Sequence, residues 1–169
     1  MSKLKKINIQ DFKINPFEAI GRQWLLISAK KDGKCNTMTA AWGGLGVLWS
    51  KNVSTIYVRP QRYTDEFVDG SDYFTLSFFD ESYKKTLGYL GRVSGRDEDK
   101  IAKSELTLID KDNMVGFEEA SLVIVCRKIY KQVLEKACFV DEEIDHKIYP
   151  DEDYHHMYVG EVEGIYIKD

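Results

Sequence analysis

A run of small and hydroxylated residues at positions 36–44 interrupts two apolar stretches and places the strongest constraint on the fold. Residues 24–29 before it predict a strand, and residues 31–34 predict the turn that joins this strand to the run. In an extended run Thr37 and Thr39 point to the same face. The pattern therefore predicts a returning edge strand with a shallow polar face, and the glycine pair at its end lets the chain leave the sheet.

Other segments rich in β-branched and aromatic residues predict more strands, and the helical patterns between them are short. A loop with one short strand at 106–109 is predicted for residues 103–116, and turns are predicted at 51–52 and 141–143. The sequence thus predicts a mainly β protein with short helices. The other predicted strands cover residues 53–59, 73–79, 120–134 and 157–167. The predicted helices cover residues 17–20, 64–70 and 81–89, with a further helix starting near Ser94.

Length and charge narrow the class of protein. The 169 residues fit one domain spanning residues 1–169. The 28 acidic residues outnumber the 24 basic ones, which argues against a nucleic-acid partner. The cysteines at 35, 126 and 138 form no Cys-x-x-Cys pair, and residues 1–6 lack the apolar core of a signal peptide. We therefore expect a cytoplasmic protein without a membrane partner.

The segment after the predicted strand at 53–59 has the composition of an anion site. Thr64 is predicted as the N-cap of a short helix, and Arg59 and Arg62 precede it. Two guanidinium groups and a helix start suit a phosphate. The alternative is a surface arginine pair bound to Asp65 and Glu66, and it has at least equal weight from these residues alone.

A second segment shows similar chemistry. Ser94 stands three residues before an acid, as in a capping box, and Arg96 and Lys100 lie beside the predicted helix start. An ordinary capped helix explains these residues equally well. Two helix starts that carry arginine nevertheless raise the prospect of one shared ligand.

Histidines beside carboxylates precede the predicted last strand. Neighbouring histidines on a strand point to opposite faces, and no metal-binding spacing is present around His155 and His156. We therefore predict no metal site. A histidine at the mouth of a ligand site is one interpretation, and a cap or a buried core histidine is the other.

Taken together, residues 36–42, 58–64 and 94–97, with His155 five residues before Gly160-Glu161-Val162, resemble the flavin reductase family. The order of these motifs makes the resemblance more specific than any one of them. It implies an FMN-binding split β-barrel, a Greek-key antiparallel barrel, that forms a homodimer. It also implies a flavin ring bound largely by backbone groups, a separately held phosphate, and His155 as the catalytic residue.

The resemblance assigns cofactor residues in three groups. The ring and ribityl chain are assigned to Asn36, Thr37, Met38, Thr39 and Ala40, with Trp42 at the end of the same run. The phosphate is assigned to Arg59, Arg62, Tyr63 and Thr64. Phosphate or partner-subunit contacts are assigned to Ser94, Gly95, Arg96 and Lys100.

Two functions remain open, with a weaker third. The first is an NAD(P)H-dependent flavin reductase that passes hydride through FMN to free flavin or a partner acceptor. The second is a flavoprotein electron carrier without a nicotinamide site, which Tyr154 or Trp49 covering the flavin face would favour. The family's Gly-Asp before the histidine is replaced here by Asp153-Tyr154. An oxidase acting on a phosphorylated amine is the third, supported by fold analogy alone.

Overall fold

An antiparallel sheet of eight strands forms the body of the protein, in a computed structural model that describes residues 4–168. The strands are β1 (Leu4–Ile7), β2 (Leu25–Lys31), β3 (Lys34–Ala40), β4 (Gly44–Leu48), β5 (Lys51–Val58), β6 (Tyr73–Phe78), β7 (Leu108–Lys111), β8 (Met114–Phe117), β9 (Leu122–Val133) and β10 (His156–Lys168). The strand order in the sheet is β3-β2-β6-β9-β10-β5-β4, with β1 also paired to β10, and β7 and β8 form a separate hairpin.

The helices are short and lie between the strands, so the prediction of a mainly β protein with short helices is confirmed. None of the helices between residues 4 and 168 is long and apolar enough to cross a membrane. The α-helices are α1 (Tyr63–Asp69), α2 (Lys84–Arg92), α3 (Lys100–Lys103) and α4 (Glu142–Ile148); a π-helix spans Phe17–Gln23, and 3₁₀ turns span Ile9–Asp11, Glu81–Tyr83 and Lys136–Cys138.

Both faces of the central strands are buried. In β2, Leu25 and Ile27 join one apolar cluster, whereas Leu26 joins a second cluster on the other face. Helix α1 adds to the first cluster, and α2 adds Leu87 and Leu90 to the second. The sheet is thus held between two apolar layers, and α2 covers the face beside β3.

Three local predictions were wrong. The turn between β4 and β5 falls at Trp49 and Ser50, whose φ angles are 50° and 57°, and Lys51 already belongs to β5. Residues 108–117 form the hairpin of β7 and β8 instead of a loop with one short strand. Residues 141–143 begin a helix, because the Asp141 side chain accepts a hydrogen bond from the Glu143 N–H and caps α4.

The amino-terminal segment contributes a strand to the sheet. Leu4–Ile7 pairs with the end of β10, from Leu4 opposite Lys168 to Ile7 opposite Ile165. Residues 1–3 of the basic stretch lie outside the described residues. The helical turn predicted at 17–20 continues through Gly21 to Gln23.

Candidate functional site

The free edge of β3 is the starting point of the candidate site. Because β3 is the last strand in the sheet order and pairs only with β2, alternate backbone N–H and C=O groups point away from its partner. Beyond the strand, the N–H groups of Ala41 and Trp42 have no backbone acceptor within residues 4–168. The predicted edge strand is confirmed. Residues 39–42 are the more accessible part of this edge, because Asn36, Thr37 and Met38 are at most 7% exposed.

The side chains of β3 do not form the predicted shallow polar face. Thr37 is fully buried, donates to Ile27 O at 3.1 Å and accepts from Ser28 Oγ at 2.9 Å. The Thr39 hydroxyl donates to Leu87 O at 2.6 Å. The prediction was wrong because α2 packs over this face, and strand alternation alone contains no information about a covering helix.

The other two β3 side chains assigned to the flavin also lie in the core. Met38 and Ala40 are buried in the first apolar cluster. A ligand at this edge would therefore meet backbone groups from Thr39 onwards rather than these side chains. The same expectation followed from the family resemblance.

Segments that are distant in sequence meet beside the amino-terminal half of β3. The Asn36 side-chain amide donates to Thr64 Oγ1 at 2.9 Å. Gly95 packs so closely on both segments that a Cβ there would overlap Asn36 Oδ1 and lie 3.1 Å from Tyr63 Cδ1. Asn36, Tyr63, Thr64 and Gly95, all predicted site residues, thus form one cluster.

Two arginines border this cluster. Arg62 is exposed, and one of its terminal nitrogens donates to Gly91 O at 2.7 Å. The Arg96 guanidinium lies 4.7 Å from the centre of the Tyr63 ring and donates to Gln61 O at 3.1 Å. The two loops that were predicted to share a ligand therefore lie side by side, with two cations at their surface.

The predicted helix caps in these loops were wrong. Arg62 occupies the N-cap of α1, and Thr64 lies inside its first turn with its hydroxyl bonded to Asn36. Helix α3 begins at Lys100 and is capped by Asp99. Ser94 instead accepts a hydrogen bond from the Arg96 N–H, at 3.2 Å, within a turn.

The surface ion-pair alternative for Arg59 and Arg62 was wrong, because Arg59 pairs with Asp153 and the Arg62 side chain bonds Gly91 O. Glu66 pairs with Arg96 instead, and both of these side chains are partly exposed. Asp65 is buried and binds no arginine: it accepts from Tyr158 Oη at 2.8 Å and lies 3.0 Å from His156 Nδ1. An exposed pair such as Arg96 with Glu66 contributes little to stability, so this arginine can exchange its partner for an anion.

Arg59 lies apart from the cluster. Its guanidinium binds the Asp153 carboxylate, donates to Ile148 O at 2.8 Å and stacks 5.3 Å from the centre of the Tyr149 ring. These contacts join β5 to the segment before β10. A phosphate contact would require Arg59 to leave an ion pair that is less than one-third exposed.

Lys100 also has internal hydrogen-bond partners. Its ammonium is buried and donates to Leu90 O at 2.8 Å and Val93 O at 2.9 Å at the end of α2. Burial, followed by the charge of Arg62, lowers its pKa to about 8. Lys100 therefore closes the carboxyl end of α2, and its charge adds to the positive potential near Arg62.

His155 lies at the other end of the edge. Its ring is 5.2 Å from that of Trp42, and its Nδ1 is 2.7 Å from the Tyr149 hydroxyl. Burial, followed by the Arg59 charge, lowers the His155 pKa to about 4. The imidazole is thus neutral near pH 7. Which group donates in the bond between Nδ1 and the Tyr149 hydroxyl depends on the imidazole tautomer.

Sequence reasoning missed Tyr149, because it lies six residues before His155 and follows a helix that was predicted as a turn. The Tyr154 and Trp49 side chains have partners other than His155. The Tyr154 hydroxyl donates to Asp145 Oδ1 at 2.7 Å, and Trp49 packs on Tyr130 with ring centres 5.7 Å apart. Across residues 4–168, no cluster of three or more His, Cys, Asp or Glu side chains is placed to hold a metal.

The lowered pKa of His155 predicts a pH effect on stability. Between about 4 and the ordinary value of 6.5 the unfolded chain binds more protons than the folded chain. The contribution of this histidine is therefore fully present above pH 6.5 and lost as the pH falls towards 4. We expect its imidazole NMR signals, assigned with His155→Gln, to titrate near pH 4, and a midpoint near 6.5 would contradict the burial argument.

The fold resembles several solved structures. An FMN-binding domain of a flavin reductases-like enzyme from Shewanella baltica OS155 superimposes with a TM-score of 0.71 at 16% identity, covering 99% of this chain and 78% of its own. Flavoredoxin from Methanosarcina acetivorans gives 0.66 at 22% identity, covering 94% and 76%. The flavin reductase of styrene monooxygenase from Pseudomonas putida S12 gives 0.61 at 13% identity, covering 85% and 77%. A search of curated proteins finds no match.

These likenesses show the fold, and the predicted split barrel is confirmed. Residues 17–169 match the family described as flavin reductase like domain. Because the match covers most of the chain, the protein belongs to this family. The resemblance seen in the motifs is thereby confirmed.

Proposed function

We propose that the protein binds FMN along the free edge of β3 and transfers electrons through it. The observation that carries this proposal is the meeting of Asn36, Tyr63, Thr64 and Gly95 beside that edge, although they come from three distant segments. Membership in the flavin reductase like domain family and the FMN-binding relative from Shewanella baltica support the same cofactor.

The available groups fit FMN in two parts. Unpaired backbone groups along residues 39–42 offer hydrogen bonds to the flavin ring, whose polar edge carries both donors and acceptors. Arg62, Arg96 and the Ser94 hydroxyl offer charge-assisted hydrogen bonds to its phosphate. Arg59 and Lys100 have internal partners and are left out of the phosphate site.

When bound, FMN supplies two-electron redox chemistry that no side chain of this protein has. The protein would orient the ring and stabilise the charge that accumulates on its carbonyl edge, since backbone N–H groups are fixed dipoles that need no rearrangement. The distant arginines would provide affinity through the phosphate without altering the redox properties of the ring.

An NAD(P)H-dependent reductase is the activity that we favour. His155 is a neutral imidazole at the end of the proposed ring site, and Tyr154 and Trp49 contact other residues. A nicotinamide amide group both donates and accepts hydrogen bonds, so it can pair with the His155 Nε2 in either tautomer. The second candidate is an electron carrier, and it is favoured by the near-complete burial of His155, which is 6% exposed beneath Trp42 and Tyr149.

A homodimer would complete the site. Large apolar side chains are exposed on the β4–β5 hairpin and the end of β9, including Val47, Trp49, Tyr130 and Val133. Trp49 and Tyr130 pack on each other, and exposed apolar patches are typical of interaction sites. A second copy of the chain packed on this surface would bury it, as the family resemblance implies.

The cofactor proposal is tested by titrating the flavin-free protein with FMN in a calorimeter. We expect saturation at one FMN per chain and a yellow protein after gel filtration, because the site is made from one set of residues in each chain. The absence of saturable FMN binding, with riboflavin and FMN equally inert, would refute the proposed site.

A further inference from the structure

An apolar pocket of about 730 Å³ opens beside the proposed flavin edge. It lies between the π-helix, residues 41–45 and residues 134–149, and it is separate from the arginine-bordered cluster. Aromatic rings form much of its wall, together with aliphatic side chains. The aromatic lining residues are Phe17, Trp42, Tyr57, Phe139 and Tyr149.

The pocket is continuous with the surroundings of His155. Trp42 and Tyr149 both line the pocket and both contact the His155 ring, with ring centres 5.2 Å and 5.5 Å away. Residues 41–44, which continue the backbone edge of β3, form another part of the wall. A molecule in the pocket would therefore lie next to the proposed flavin ring.

The chemistry of the wall restricts what can bind. No lining residue is Lys, Arg, Asp or Glu, so a phosphate or carboxylate inside would be desolvated without an ionic partner. One polar side chain of the wall is free: the Tyr57 hydroxyl has no hydrogen-bond partner among the described residues, whereas the Tyr149 hydroxyl is bonded to His155. A neutral ring with one hydrogen-bond acceptor matches this wall.

We propose that this pocket binds an uncharged, planar ring compound with a carbonyl group, of the quinone type, as the electron acceptor. The ring packs among the aromatic side chains, and the carbonyl oxygen accepts a hydrogen bond from Tyr57. This assignment rests on the proposed function, in which NAD(P)H supplies the hydride. Two-electron reduction of a quinone adds that hydride equivalent and one proton from solvent, which gives the hydroquinone.

Binding is measured by calorimetry on the flavin-free, full-length protein with three probes. The neutral quinone is 2,3-dimethyl-1,4-naphthoquinone, which has no quinone-ring position open to addition by the cysteines. The anionic comparator is 9,10-anthraquinone-2-sulfonate, and the comparator without a carbonyl is 2-methylnaphthalene. We expect the neutral quinone to bind at least about tenfold more tightly than the sulfonate, since the pocket offers the anion no partner.

Two substitutions locate the bound quinone. Tyr57→Phe keeps the ring and removes the hydroxyl, so we expect about fivefold weaker quinone binding and unchanged binding of 2-methylnaphthalene. Ile144→Lys places a charge in the pocket wall at a position that is 47% exposed, and it should weaken both neutral probes at least about tenfold. The matched control is Val140→Lys, at a fully exposed position of the same segment outside the pocket wall, which should leave both affinities unchanged.

Several results would overturn the proposal. The first is sulfonate binding as tight as quinone binding, and the second is equal quinone affinity in Tyr57→Phe and the parent. The third is a loss of dimers in Ile144→Lys with unchanged quinone affinity, which would make the pocket a subunit interface.

FMN titration of the same preparations distinguishes a failure of the pocket assignment from a failure of the flavoprotein proposal. FMN binding without quinone binding overturns the pocket assignment alone, whereas quinone binding without FMN binding overturns the flavoprotein proposal and the acceptor role with it.

Discussion

Replacing Arg62 with alanine is expected to weaken FMN binding about thirtyfold. A hydrogen bond to a charged group contributes about 2 kcal/mol, which corresponds to a change of this size in the dissociation constant. The side chain is exposed and its one internal hydrogen bond goes to Gly91 O. The free energy of unfolding should therefore change by less than about 0.5 kcal/mol.

Riboflavin is the control ligand, because it has the same ring and ribityl chain without the phosphate. Its affinity should be the same in the parent and in Arg62→Ala. Arg22→Ala serves as the control variant, since it removes a cation whose side chain is 81% exposed and belongs to the π-helix. Equal FMN affinity in Arg62→Ala and the parent would remove Arg62 from the phosphate site.

Replacing Gly160 with alanine is expected to cost about 3 kcal/mol of unfolding free energy. Gly160 lies in β10, where a Cβ atom would stand 2.5 Å from Phe74 Cζ and 2.7 Å from Cys126 Cβ. Both neighbours are buried in the first apolar cluster and have little room to move. Overpacking of this kind strains a core by about 1–3 kcal/mol, and the severity of these contacts places Gly160→Ala at the upper end.

Urea unfolding of the flavin-free protein measures this effect. The matched variant is Gly46→Ala in β4, another strand glycine, whose added Cβ would have no neighbour within 4 Å. Gly46→Ala should leave stability unchanged or slightly raised. Equal stabilities of the two variants would show that the β10 backbone lies farther from Phe74 than the structure places it.

The strands were predictable where the chain carries its own periodic pattern. The strand of residues 122–133 follows the prediction of 120–134 closely, because its apolar run is buried on both faces. The turn at Trp49 and Ser50 was not predictable, since neither residue is typical of positive φ. Helix α4 has a recognisable N-cap in Asp141, but the acidic residues after it suggested a solvated turn.

The sequence predicted which residues meet at the candidate site better than it predicted the contacts of the individual side chains. Motif order identified Asn36, Tyr63, Thr64 and Gly95, and these residues do meet. The pairing of Arg59 with Asp153 depends on the path of residues 134–155, which the sequence does not determine. The cover over Thr37 and Thr39 depends on the packing of α2, a tertiary contact that no local pattern encodes.

Anaerobic mixing of the FMN-loaded protein with NADH, and separately with NADPH, tests the reductase proposal most directly. The visible absorbance of the bound flavin reports its oxidation state throughout. We expect rapid bleaching by at least one nucleotide, which would identify the electron donor. Flavin that binds but stays oxidised with both nucleotides would contradict the reductase proposal and favour an electron carrier reduced by a protein partner.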